Sequence, residues 1–306
     1  MINQSASAVV MIRPSGFYPN PQTAQDNAFQ QEAKAGEDLS SLAQTEFDTA
    51  VAALRDAGVV VHVFADTPAP PKPDAVFPNN WFSTHQDGRI ALYPMYSPSR
   101  RAERRDDLIE ALRERYQVSE VVDYSSYEKR GRYLEGTGSL VLDRVHRIAY
   151  VSLSKRADRE PLEKFCADFD YEPFTFESTG GDGRPIYHTN VMLCVGSELA
   201  LVGLDLIGDR TQREALRARL EATGKTIIAL DRNQIEDFAG NTLELRGEQS
   251  KLLILSTRAA AALTDEQRAT ITRSARLLPL TLPTIELGGG SARCMMATIH
   301  LPPRAS

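Results

Sequence analysis

Apolar periodicity repeats along this chain, and the repeat limits the fold more than any single motif does. Helical patterns fall at about 30–57, 101–116, 159–168, 210–223 and 263–276, so their starts recur at intervals of roughly 50 to 70 residues. Between them lie short strand-like runs bounded by turn residues: VVMIR, VVVHVFA, IALYPM, SLVLD, IAYVSLS, VMLCVG, LALVGL, TIIAL, KLLIL and MMATIHL. A barrel of alternating strands and helices needs one strand per helix, and this chain offers two or three. Five similar strand-rich units around an axis fit the count. The proline-rich TPAPPKPD interrupts composition but not the repeat, so it reads as an extended loop. The expectation is a single domain spanning 1–306.

Composition narrows what such a fold can do. The 306 residues carry a formal net charge of -6, with Lys and Arg scattered among Asp and Glu. A nucleic-acid or anionic-membrane surface needs a concentrated basic face, so neither partner is expected. The cluster Arg100, Arg101, Arg104, Arg105 is balanced by Glu103, Asp106 and Asp107. It reads as an exposed helix start from which one arginine could turn inward. Cys166, Cys194 and Cys294 are far apart and form no C-x-x-C pair, which suggests neither a disulfide framework nor a zinc site. No apolar stretch matches a signal peptide or a bilayer span, so a reducing cytoplasm is expected.

Four stretches hold groups that do chemistry together. ELGGGSARC places Cys294 behind three glycines, where a buried apolar cysteine and a nucleophile are both open readings. A thiolate nucleophile needs a proton shuttle and a carboxylate to orient it. His188 in RPIYHTNVMLCVG stands at the mouth of a strand, with Asn190 two residues on. Glu135 in RYLEGTGSLVLD precedes a glycine turn, where the backbone can pass close to a ligand. PDAVFPNNWFSTH sets Asp74, Asn79 and Asn80 beside the only tryptophan, Trp81, which suits either a dry pocket or a plain turn.

Taken together, the order of amide loop, Glu-Gly, His-x-Asn and Gly-Gly-x-x-x-Cys resembles the guanidino-group-modifying superfamily, the penteins. Its members include arginine deiminases, dimethylarginine dimethylaminohydrolases, amidinotransferases and arginine dihydrolases. The resemblance covers essentially the whole chain. It implies an α/β fold, the five-bladed α/β propeller with pseudo-fivefold symmetry, in agreement with the repeat count. It also implies Cys294 as nucleophile, His188 as general acid and base, and Glu135 as its carboxylate partner. The methylarginine hydrolase pattern Asp-x-Val-Phe-x-x-Asp falls on Asp74 to Asn80, and Ser-Arg-Arg-x-Glu falls on Ser99 to Glu103. A Leu-Ser-x-Arg segment falls on Leu153 to Arg156. These implied matches make Arg100 and Arg156 ligands for a substrate carboxylate, which an arginine fork can hold through two parallel bonds. Asn20 in FYPNPQTAQDN is a further binding residue from the first unit. A homodimer is the corresponding family-level expectation.

Departures from the family pattern point to the substrate. Asn80 stands where deiminases and methylarginine hydrolases carry an acid against the guanidinium, Asn79 is also an amide, and Ser139 replaces the second acid of the Glu-Gly-Gly-Asp motif. A carboxylate only accepts hydrogen bonds, whereas asparagine can donate to a ureido oxygen and accept from a ureido N–H. The expectation is hydrolysis at the ureido or guanidino carbon of an arginine-derived amino acid, most simply citrulline, or arginine by way of citrulline, to ornithine. A covalent S-carbamoyl or S-amidino intermediate forms, with no metal and no organic cofactor. The alternatives are a deiminase or methylarginine hydrolase that stops at citrulline, an amidinotransferase, and, from another class, a catalytically silent propeller used for binding.

Overall fold

The computed structural model describes residues 3–33 and 36–304. Fifteen strands form five sheets of three, with the orders β15-β1-β2, β3-β4-β5, β6-β7-β8, β9-β10-β11 and β12-β13-β14. The middle strands are β1 (Ala8–Arg13), β4 (Arg89–Leu92), β7 (Ile148–Ser152), β10 (Leu199–Val202) and β13 (Lys251–Ser256). Each pairs antiparallel with one neighbour and parallel with the other. A parallel pair needs a crossover, and a long helix supplies it in every sheet. These helices are Leu39–Asp56, Asp106–Arg115, Arg159–Phe169, Arg210–Ala222 and Asp265–Thr272. They lead to the outer strands β2 (Val60–Ala65), β5 (Glu120–Asp123), β8 (Glu172–Phe176), β11 (Thr226–Ala229) and β14 (Arg276–Leu280).

The antiparallel partners are β3 (Phe82–Thr84), β6 (Val141–Asp143), β9 (Leu193–Val195), β12 (Leu243–Arg246) and β15 (Ala297–Ile299). Four of these five are three-residue strands, and each of those four is buried throughout. They line the axis of the ring, where β15 meets β3 and β9 lies between β6 and β12. The outer strands are half-exposed. Because β15 is contributed by the C-terminus and β1 by the N-terminus, one sheet joins the two ends of the chain and the ring closes. The five-bladed α/β propeller expected from the repeat is the fold.

The first helix shows what holds a blade. Asp38 caps it by accepting from the Ser41 N–H, and it buries Ala43, Phe47, Ala50, Val51 and Leu54, a helical stripe. That stripe packs with Val9, Met11, Val61, Leu252 and Ile254 in one apolar cluster shared by two blades. Burial of each large apolar side chain contributes about 1.5–3 kcal/mol. Three boundaries differ from expectation, the last helix ending at Thr272 with Arg276 already in β14. The helix expected from residue 30 begins at Leu39, and residues 34 and 35 of that stretch lie outside the described residues. The one expected from 101 begins at Asp106, after a separate turn, Pro98–Arg101, that starts on proline.

Candidate active site

Each inner strand is preceded by a polar turn, and the turns meet at one end of the axis. Before β3 stands Pro78–Asn80, before β6 the turn Gly136–Ser139, and before β9 Thr189–Val191. Asn241 precedes β12, and the Ser291–Cys294 turn precedes β15, closed by a Cys294 N–H to Ser291 carbonyl bond of 2.9 Å. Pseudo-fivefold symmetry therefore delivers one polar segment per blade to the same place. A cavity there is lined by Asp74, Asn80, Arg100, Arg156, His188 and Cys294, among others.

His188 donates from Nε2 to Glu135 Oε2 at 2.7 Å, and the Tyr96 backbone N–H binds Glu135 Oε1 at 2.9 Å. Burial would raise the Glu135 carboxyl, but Arg156, His188 and Arg100 outweigh it and hold it at about 2. Burial lowers His188 to about 4 against the pull of Glu135. Glu135 is thus an anion and His188 a neutral ring protonated on Nε2, which leaves Nδ1 as the nitrogen for proton traffic. Gly138 makes room: a Cβ there would lie 2.3 Å from Asn80 Nδ2 and 2.7 Å from His188 Nδ1. Cys294 is buried, and its Sγ lies 3.2 Å from Asn241 Nδ2 and 3.5 Å from Asn190 Nδ2. The glycines ahead of Cys294 have a local reason, since Gly289 has φ +79° and a Cβ on it would meet the Asn27 amide at 2.3 Å.

The two arginines are placed differently from expectation. Arg100 is buried, with Nε and Nη2 on Glu103 at 2.8 and 2.9 Å and Nη1 on Asn80 Oδ1 at 2.7 Å. Its Nε–Nη2 fork is filled by Glu103, so it lines the cavity without an open fork. Arg156 bonds Asp26 through Nε and Nη2, both at 2.7 Å, and its guanidinium lies over the Tyr187 ring. Asp26 belongs to the loop between β1 and the first helix, whose Thr23 and Asn27 also line the cavity. Asn20 bonds Asp74 at 2.7 Å and Ser99 at 3.1 Å and is not a lining residue. Asn79 likewise stands outside the lining: its side-chain amide is buried without a partner, and its carbonyl accepts from Thr137. Asn190 reaches the thiol rather than open space. Asn241 was missed by sequence reasoning, although the Ala-Gly-Asn-Thr turn before an inner strand is its signal. Asp26 has no local signal, because only the tertiary fold brings it to Arg156.

The cavity holds about 10 Å³, space for about one water.

Five α/β blades with polar turns converging on a Cys, a His and a Glu define the pentein class. The chain belongs to the family described as N,N dimethylarginine dimethylhydrolase, eukaryotic, whose sequence model matches residues 13–301. No curated protein sequence matches it significantly. Among solved structures, it resembles the N-terminal domain of ArgZ, an arginine dihydrolase from the ornithine-ammonia cycle in cyanobacteria, in a cysteine-to-serine mutant bound to substrate. That likeness has a TM-score of 0.72 at 14% identity over 96% of this chain and 99% of the other. AgrE, in the binary complex of a cysteine-to-alanine mutant with L-arginine, aligns with a TM-score of 0.74 at 16% identity, over 97% of this chain and 40% of AgrE. Dimethylarginine dimethylaminohydrolase from Pseudomonas aeruginosa, a cysteine-to-serine mutant complexed with citrulline, aligns at 0.65 and 14% identity, over 96% and 99%. At these identities the likeness is one of fold. The family model, with this fold, supports a hydrolase that acts on guanidino-type groups.

Proposed function

We propose that the protein hydrolyses the ureido carbon of citrulline to ornithine, with Cys294 as nucleophile, His188 as proton shuttle and Glu135 as its orienting anion. One observation carries the choice of substrate. Arg100 only donates hydrogen bonds, so Asn80 must turn its oxygen to Arg100 and its amide nitrogen the other way. That nitrogen is buried beside Gly138 with no partner. A ureido oxygen satisfies it; a guanidinium presents only N–H groups and leaves it unpaired, which costs about 1–3 kcal/mol.

Neutral His188 accepts the Cys294 proton on Nδ1 as sulfur bonds to the ureido carbon. Collapse of the tetrahedral adduct breaks the bond from that carbon to the side-chain nitrogen, which takes the proton from His188 and leaves as the amine of ornithine. The S-carbamoyl cysteine remains. His188 then takes a proton from water, whose oxygen attacks the same carbon, and the thiol and carbamic acid separate; carbamic acid decays to ammonia and carbon dioxide. Asp26 occupies the Arg156 fork in the closed cavity, and the substrate carboxylate exchanges with it as the loop lifts. Asp74 is the acceptor for the substrate ammonium.

The family model supports a second reading, hydrolysis of a methylarginine to citrulline, for which Asp74 supplies the carboxylate. Incubation with citrulline, arginine, dimethylarginine and agmatine, with ornithine, citrulline and ammonia assayed separately, tests both. Ornithine from citrulline is expected. Citrulline accumulating from dimethylarginine establishes the second reading, and turnover of none returns the propeller to a binding role.

A further inference from the structure

The inner strands have two ends, and only the N-terminal ends carry the groups described so far. At the C-terminal ends, β3 runs into His85, β6 into Arg144 and β15 into His300. A three-residue strand spans about 10 Å, so this second mouth is on the opposite face of the ring. A cavity of about 410 Å³ opens there, lined by His85, Arg144, Arg147 and His300 together with Asp87, Asp170 and Tyr171. His300 and Arg144 also line a smaller enclosed cavity of about 50 Å³ deeper on the axis, which reaches Arg293, the neighbour of Cys294.

The two arginines at this mouth make no direct ion pair among the described residues. Arg144 is 7% exposed, and its guanidinium donates to the Thr84 carbonyl at 3.2 Å. Arg147 donates to the carbonyls of Phe169 and Asp170 and lies over the Tyr171 ring. Among the described residues, neither arginine has a carboxylate oxygen within 4.0 Å. Asp87 Oδ2 accepts from Nε and Nη2 of Arg89 at 2.9 and 2.6 Å, with Arg147 acting on it from further away. Asp170, in the left-handed conformation, accepts from Arg147 through its backbone carbonyl. A buried guanidinium without a counter-charge is costly, and such cations are normally paired.

We propose that this mouth is a binding site for a small metabolite carrying an oxyanion, a carboxylate or phosphate, held between Arg144 and Arg147, with neutral His85 and His300 as its polar walls. The electrostatics agree: burial, and Arg147 beside it, pull the Arg144 guanidinium below its ordinary range. Burial and Arg144 likewise hold both histidines well below the usual imidazole range. An anion here would reverse the charge component of all three.

Calorimetric titration of the whole chain with inorganic phosphate and, separately, with citrate tests the site, against sodium chloride at matched ionic strength. Saturable binding of one or both is expected, and the stronger of the two names the oxyanion. Arg147→Ala, on the half-buried rim, weakens that binding about tenfold or more. Asp170→Asn, which removes the neighbouring negative charge and suits the left-handed backbone, strengthens it, an effect that misfolding cannot produce. Arg156→Ala, at the opposite end of the axis, leaves it unchanged. No saturable heat with either anion, or heat indifferent to both Arg147→Ala and Asp170→Asn, overturns the proposal.

Discussion

Cys294, His188 and Glu135 come from three different blades, so their chemistry is set by a few contacts at the axis. Replacing Cys294 by Ser should remove turnover while leaving binding, and mass spectrometry of His188→Ala with substrate should find an adduct on Cys294. An adduct on Cys166 or Cys194 alone would move the nucleophile elsewhere. Burial pushes the thiols of Cys166 and Cys194 up to about 12 and about 11, which leaves them poorly reactive at neutral pH. Asn80→Asp should raise the kcat/KM ratio of arginine over citrulline by about tenfold to a hundredfold, because it exchanges a donor for an acceptor. An unchanged ratio would mean that Asn80 does not read the substrate. Asp26→Asn should lower KM for citrulline but not for agmatine, which has no carboxylate to exchange into the Arg156 fork. Residue type and local turn chemistry singled out all three, and the fold brings them to one end of the axis. The filling of the two arginine forks was not, since Glu103 and Asp26 are ordinary surface acids until the chain folds.

Elements were legible in proportion to how one-sided their burial is. Helices with an apolar stripe were found, with their starts misplaced where a loop or a proline turn intervenes. Ten of the fifteen strands lie in the apolar runs read from the sequence, and β3, β5, β8, β12 and β14 do not. Three of those five are outer strands, EVVD, EPFTF and RLLPL, which face solvent on one side and therefore lack an apolar run. The last long helix is capped by a reciprocal pair, Thr264 to the Gln267 N–H and Gln267 back to the Thr264 N–H. Thr264→Ala should cost about 1 kcal/mol in denaturant unfolding without changing kcat. A loss of activity instead would tie this remote helix end to the site.

At the scale of the molecule, ring closure through β15 and β1 leads us to propose that residues 1–306 unfold as one unit, giving a single calorimetric transition. Two separated transitions would divide the chain. Stability should also depend on pH through the buried pair. His188 binds its proton at about 4 when folded and near 6.5 when exposed. The unfolded chain therefore holds more protons between those values, and stability falls as pH drops through that window. Glu135, at about 2 against an ordinary 4.5, adds stability that is complete above 4.5 and is lost as pH falls toward 2. Chemical denaturation at pH 7, 5.5 and 4 should show a falling midpoint, and His188→Ala should flatten the upper part of that fall.

Sequence alone determined the number of blades and the alternation of strands and helices, and it singled out Cys294, His188 and Glu135 as candidates, because these depend on periodicity and residue type, which are local. The tertiary structure alone decided which amide edge of Asn80 faces inward, which acids occupy the arginines, and that a second pair of guanidinium groups, without a direct ion pair, meets at the far end of the axis. Such properties depend on how segments pack against one another, where distance and desolvation, rather than order along the chain, fix the interaction.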